Sequence, residues 1–234
     1  MSDEFFRFPH TPHIDWLGEG MPRDDKVLSA SEVEELLAGP VVVEEKLDGA
    51  NLGFSVAPDG LLRGQNRGQY LLEPHAGQFQ RLPEWIALHG SGLAGALGDR
   101  LIVFGEWCAA RHSLDYSALP DWWLLFDVYD RSERRFWSTR RREALARDLG
   151  LASVPRLLEG QQSVATLRNI VGSTRSRFRD GVLEGVVVRR EDEDWLLARG
   201  KLVRADFTQS IDAHWRGRRL EWNRVDWTAR QARS

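Results

Sequence analysis

The chain uses lysine sparingly: of its 32 lysines and arginines, only Lys26, Lys46 and Lys201 are lysines. Arginine keeps its proton near neutral pH. A lysine amine can lose its proton beside another cation or in a dry cleft, and then act as a nucleophile. Lys46 stands in Lys46-Leu47-Asp48-Gly49, between two apolar runs. A strand behind it would hold the amine rigidly toward an open cleft, and Gly49 would allow a sharp backbone path. Four more pieces follow in order. Phe104-Gly105-Glu106-Trp107 ends an apolar run on a carboxylate. Leu125-Phe126-Asp127-Val128-Tyr129 carries aromatic rings on an apolar strand. Leu183-Glu184-Gly185-Val186-Val187-Val188 opens a strand with a carboxylate. Lys201-Leu202-Val203-Arg204 begins 17 residues after Glu184. Each piece alone suits a strand end or a core position; the set in this order is far more specific.

The five pieces resemble motifs I, III, IIIa, IV and V of the covalent nucleotidyltransferase superfamily, which contains DNA ligases, RNA ligases and messenger-RNA capping enzymes. The resemblance spans about residues 40–207 and implies a lysine–nucleoside monophosphate intermediate on Lys46. DNA ligases and capping enzymes usually carry arginine five residues after that lysine. Here Asn51 stands there, which is similar to RNA ligases of the phage second-ligase and trypanosome-editing type. Arg67 lies 21 residues after Lys46, where that branch has its motif Ia arginine, and Phe126 lies 20 residues after Glu106, again as in that branch. The branch usually ends with two lysines separated by one residue. Here Val203 takes the second place, flanked by Arg204, and Arg199 lies two residues before Lys201; either arginine is a candidate for the second cation.

The resemblance implies an α+β nucleotidyltransferase fold, ATP-grasp-like, with mostly antiparallel sheets flanked by helices. It implies an ATP-dependent RNA ligase using Mg2+ (or Mn2+), with GTP left open as the nucleotide. AMP would pass from Lys46 to an RNA 5′-phosphate, which an RNA 3′-hydroxyl then attacks. Lys46, Glu184 and Lys201 are the implied catalytic residues. Glu45, Asn51, Arg67, Glu106 and Phe126 would join them in holding the nucleotide, and Glu184 would hold the metal. Arg67, Arg204, Arg175 and Arg177 would contact RNA, with Arg179, Arg216, Arg218 and Arg219 as further phosphate contacts. The partners expected are RNA ends, in a nicked duplex or a broken strand, and a separate RNA end-processing or RNA-binding protein. The competing readings are a minimal ATP-dependent DNA ligase and a nucleotide- or RNA-binding module without sealing activity.

Elements must place these residues. Val41 to Lys46 and Asn51 to Val56 read as strands, the latter ended by Pro58-Asp59-Gly60 and paired with Leu61 to Asn66. Ser31-Glu32-Val33-Glu34 reads as a capping box for a helix stopping at Gly39-Pro40. Gln78 to Leu88 reads as a helix, Leu101 to Trp107 and Trp122 to Tyr129 as strands. Ser138 can cap a helix ending at Gly150, and Val164 to Val171 suggests another. Leu183 to Arg189 and Asp194 to Arg199 read as a hairpin. Strands and helices without regular alternation indicate α+β with mostly antiparallel sheets. The reading gives one domain over 1–234: an N-terminal wrap (1–30), a core (40–207) and a tail from 208 that is expected to be helical. Its Trp215, Trp222 and Trp227 are read as packing residues. Lys201 stands 33 residues before Ser234, too few for the OB-fold or helical domain that such ligases commonly append; a nearly bare catalytic domain is the expectation.

The composition, 42% apolar and 29% charged over 234 residues, excludes disorder, collagen-like sequence and a coiled coil. No apolar run reaches the roughly 18 residues of a membrane span, and the acidic start lacks a signal peptide's pattern. Cys108 is the single cysteine, so an internal disulfide is excluded and a reducing, cytoplasmic setting is expected. The net charge of -3 hides a segregation: residues 1–130 carry 9 basic and 21 acidic side chains, residues 131–234 carry 23 and 14. The basic second half suits a polyanion.

Overall fold

The computed structural model describes residues 4–19, 26–210 and 220–228. In chain order the elements are α1 (Ala30–Leu36), β1 (Val41–Lys46), β2 (Ala50–Val56), β3 (Leu62–Gln65), a 3-10 turn (Gly77–Phe79), α2 (Leu82–Leu97), β4 (Leu101–Trp107), β5 (Trp123–Asp130), β6 (Arg135–Phe136), α3 (Thr139–Asp148), β7 (Arg156–Gly160), α4 (Val164–Ser173), β8 (Gly185–Glu191), β9 (Leu196–Val203) and α5 (Ala205–Ser210). The strands form two sheets, ordered β7-β1-β8-β9 and β3-β2-β4-β5-β6, and every strand pair is antiparallel. The fold is α+β, as the pattern predicts.

Each sheet has its own core. In the five-stranded sheet, Leu52, Phe54, Val103, Trp107, Trp123 and Leu125 pack with α2 through Leu82, Trp85, Leu93 and Leu97. The positions on α2 recur at helical spacing, which is why the helix reaches Leu97 rather than the expected Leu88. Its glycines cost up to about 1 kcal/mol each in propensity, and burying a single such side chain returns about 1.5–3 kcal/mol. Gly105 is fixed by contact: a Cβ there would lie 2.3 Å from the Trp123 indole. In the four-stranded sheet, Val41, Val43, Val186, Val188 and Leu202 pack with Leu36 of α1 and with Leu167 and Val171 of α4.

The capping box is real but two residues earlier than expected. Ser29 accepts from the Glu32 amide and Glu32 from the Ser29 amide at 2.8 Å. The helix buries Leu36 in the core of the four-stranded sheet. Ser138 caps α3 as expected. The hairpin strands β8 and β9 run later than expected, so Lys201 sits inside a strand, paired with Val187. β6 and β7 have no counterpart in the expectation; β7 is half exposed and lacks alternation.

The N-terminal segment crosses both sheets. Phe6 and Phe8 pack on Phe104 and Phe136 of the five-stranded sheet. Farther on, the Lys201 amide donates to Pro12 O and the Ile14 amide to Lys201 O, each at 2.8 Å. In the tail, α5 is helical, but residues 220–226 run irregularly along the 108–119 loop. Trp222 packs on the larger core, and Trp227 remains 46% exposed. Trp215, Arg216, Arg218 and Arg219 lie outside the described residues.

Candidate active site

β1 ends on Lys46 in one sheet, and the chain turns through 47–49 to start β2 in the other. The cleft between them has a volume of about 510 Å³ and is lined by Lys46, Glu45, Asn51, Arg67, Glu106, Phe126 and Lys201 among others. Seven of the expected site residues therefore share one cavity. Gly49 does not serve through an unusual φ, as its sharp path would suggest. A Cβ there would meet Trp107 O at 2.6 Å and Glu106 Cγ at 3.0 Å, so the requirement is close approach of the turn to β4. That approach lets the Gly49 amide donate to Glu106 Oε1 at 3.0 Å.

Lys46 Nζ lies 2.6 Å from Glu184 Oε1, and Glu184 is 3% exposed. Burial opposes a charge on Lys46, but Glu184, Glu106 and Asp48 together outweigh it and hold the ammonium's pKa above its ordinary value. Burial pushes the Glu184 carboxyl up to about 8 and the Glu106 carboxyl up to about 7, with Lys46 pulling both the other way and Asp48 adding to the rise. Asp48 is fixed by the Ser113 and Leu114 amides, both donating to Oδ2 at 2.7 Å. Its own amide donates to Tyr116 Oη at 2.8 Å.

These raised carboxyls carry a pH dependence. The folded protein binds protons that the unfolded chain has released above about pH 4.5, so stability falls as pH rises through about 7 to 8. We expect thermal unfolding temperature to decline between pH 5 and 8.5, with a shallower slope in Glu184→Gln. A slope unchanged in that variant would place the dependence elsewhere.

Around the amine, Asn51 is paired in register with Glu106, and its Oδ1 is buried without a hydrogen-bond partner. Arg67 has a buried, unpartnered Nε, and its Nη1 lies 3.4 Å from His10 Nδ1. Phe126 meets Phe8 edge-on at 5.3 Å. Glu45 Oε2 accepts from the Arg177 amide at 3.0 Å, and burial pushes its carboxyl up against the pull of Ser176 and Arg177. Glu184 stands behind Lys46 rather than in the cavity lining. Arg199 lines the cavity with its guanidinium paired to Asp127 and stacked over Phe8 and Phe136 at 4.5 Å. Arg204 pairs with Asp206, outside that lining. Arg175 is exposed and paired with Asp180, and Arg177 is exposed.

Phe8, Thr11, Gln78 and Val154 also line the cleft. No motif marks them. Phe8 alone carried a signal, an apolar cluster in an otherwise polar N-terminal stretch. Among the described residues no group of three or more His, Cys, Asp or Glu side chains is arranged to hold a metal. The donors present, Glu106 and a Glu184 whose Oε2 is buried without a partner, fit a hard cation that takes one or two carboxylates and draws its other ligands from phosphates and water.

The sequence model of the RNA ligase family matches residues 39–203. No curated protein matches the chain. Among solved structures, a lysine-to-alanine variant of Naegleria gruberi RNA ligase with ATP and Mn superposes with a TM-score of 0.61 at 17% identity, covering 86% of this chain and 57% of that one. A second such variant gives 0.58 at 17%, covering 79% and 54%. A putative ATP-dependent DNA ligase from Aquifex aeolicus gives 0.56 at 21%, covering 86% and 50%. The likeness is one of fold, and the chain spans about half the length of these proteins.

Proposed function

The chain belongs to the RNA ligase family, and from this premise we propose that it is an ATP-dependent RNA ligase that joins 3′-hydroxyl and 5′-phosphate ends in RNA repair. The observation that carries the reading is the Lys46 amine in the lining of a cleft, 2.6 Å from Glu184, with Glu106, Asn51, Arg67 and Lys201 lining the same cleft. Named neighbours with ATP and Mn support the nucleotide and a divalent ion.

In this reading the ionised form of Glu184, a stronger base than an ordinary carboxylate because burial raises its pKa, takes the Lys46 Nζ proton at Oε1, and the neutral amine attacks the α-phosphorus of ATP. A P–N bond forms, and pyrophosphate leaves with the electrons of the broken P–O bond. Lys201 and Arg67 neutralise phosphoryl oxygens. A divalent ion, held by the nucleotide phosphates with Glu106 or through water with Glu184, would add to that neutralisation and favour the neutral amine. Glu106 accepts from ribose hydroxyls, and the Phe126 ring offers adenine a flat apolar face. An RNA 5′-phosphate oxygen then displaces Lys46 from the AMP. Finally the 3′-hydroxyl attacks that activated phosphate and releases AMP. Arg175, Arg177 and Arg204 are the proposed RNA contacts. Arg175's ion pair is solvent-exposed, so exchanging it for a phosphate costs little.

The substrate test uses nicked duplexes identical except for ribose or deoxyribose at the two nucleotides ending in the 3′-hydroxyl. A 2′-hydroxyl is what distinguishes RNA there. Sealing is expected with ribose only, and to fall steeply with salt, each phosphate contact adding nearly one unit to the log–log slope. Equal sealing of both would establish a DNA ligase instead.

A further inference from the structure

The RNA ligase match ends at residue 203, yet residues 221–226 are built into the support of the Lys46 turn. The loop between β4 and β5 holds Asp48 from three sides, through the Ser113 and Leu114 amides and the Tyr116 hydroxyl. That loop lies outside both sheets, and much of its own support comes from the C-terminal segment. Arg111 N donates to Glu221 O, Asn223 N to Ala109 O, Arg224 N to Tyr116 O, Leu119 N to Arg224 O and Asp226 N to Leu119 O, at 2.8–3.1 Å.

Asn223 is the centre of this lacing. It is 5% exposed. Its Nδ2 donates to Cys108 O at 2.8 Å and to Ala110 O at 3.3 Å. Its Oδ1 accepts from the Tyr116 amide at 2.9 Å. One side chain therefore ties the outgoing leg of the loop to the returning one. Only an amide supplies two donors and an acceptor in that space. Leucine would leave three buried backbone groups unpaired, and aspartate would face two carbonyl oxygens. Tyr116, gripped through its backbone by Asn223, is the residue whose hydroxyl accepts from Asp48.

We propose that segment 221–226 is a strut for the nucleophile's turn, and that Asn223 is a positioning residue acting through Tyr116 and Asp48 on Lys46. The inference rests on Lys46 being the adenylated residue. A small displacement of the turn moves Lys46 against both Glu184 and the bound nucleotide, and errors of about 1 Å in such a geometry cost on the order of 100-fold. Sealing of an already adenylated RNA end does not use the Lys46 amine as nucleophile, so the strut bears mainly on the first step.

The test compares Asn223→Ala and Tyr116→Phe with wild type in two half-reactions, single-turnover AMP transfer from ATP to the protein and ATP-free sealing of 5′-adenylated RNA. Hydrogen exchange at the Ser113 and Leu114 amides is followed in parallel. Both variants are expected to slow AMP transfer about tenfold or more at saturating ATP, leave KM for ATP within about twofold, and leave sealing within a few-fold. In Asn223→Ala the two amides should exchange faster. Parallel loss of both half-reactions with the folded fraction, or no loss in either, overturns the proposal. If Asn223→Ala fails to fold, Tyr116→Phe, which keeps the backbone lacing, decides by the same split. A wild type that takes no AMP defeats the ligase reading alone. Exchange at Ser113 and Leu114 then still decides the strut: unchanged protection in Asn223→Ala overturns it.

Discussion

Replacing Lys46 by alanine abolishes covalent transfer of AMP to the protein: this is the result expected when the variant is incubated with labelled ATP and a divalent ion, denatured and examined for label. Mass spectrometry of the wild type should place a single AMP on Lys46. Lys26 is exposed and paired with Glu32, and Lys201 lies within β9; AMP on either would overturn the assignment. The same substitution takes the cation from a nearly buried carboxylate. Removing one partner of a buried pair costs about 3–5 kcal/mol, but Lys46 is partly exposed and Glu184 can take up a proton, which lowers the cost. The variant should therefore fold, and its stability deficit should grow as pH rises past 8.

Glu184→Gln and Lys201→Ala are each expected to slow lysyl-AMP formation by about 100- to 1,000-fold, the scale of losing one preorganised charge at a reacting phosphoryl group. The reasons differ. Glutamine at 184 retains the shape but cannot take the Lys46 proton. Alanine at 201 removes a cation from the cleft lining, so Lys201→Arg should recover part of the rate through charge. Single-turnover labelling measures both. Wild-type rates in both would mean that the cleft is built from other residues.

Much of this site was readable because its residues sit at the ends of strongly apolar strands. Val41 to Val43, Leu101 to Phe104 and Val186 to Val188 are short apolar runs with charged residues at or near their borders, so the runs place Lys46 and Glu106 at or near the end of a strand and Glu184 just before one. Less readable was everything that arrives from far along the chain. The capping box fits two phases locally, Ser29 with Glu32 and Ser31 with Glu34, and the local pattern does not choose between them. The two sheets share no strand pair, so their apposition across the cleft leaves no period in the sequence. Glu184 reads as the carboxylate that opens a strand, and β8 does begin directly after it, but the side chain is buried against Lys46. Asn223 is one asparagine in a polar tail; its partners lie more than a hundred positions away, and nothing short of the fold brings them together.

The Pro12–Ile14 stretch that straps the strand of Lys201 also sets a schedule for biosynthesis. The strap is made well before its docking strand, the one lying near Pro12 and the other near Lys201 along the chain. At roughly 5–20 residues per second, some ten to forty seconds separate them on the ribosome. Over that interval Phe6 and Phe8 can settle on β4 soon after it emerges, whereas the edge at Lys201 stays open. Both catalytic partners of Lys46 in the proposed chemistry come from this late hairpin. In that proposed chemistry, a nascent chain that has not yet reached β8 and β9 carries Lys46 without the two groups that would activate it.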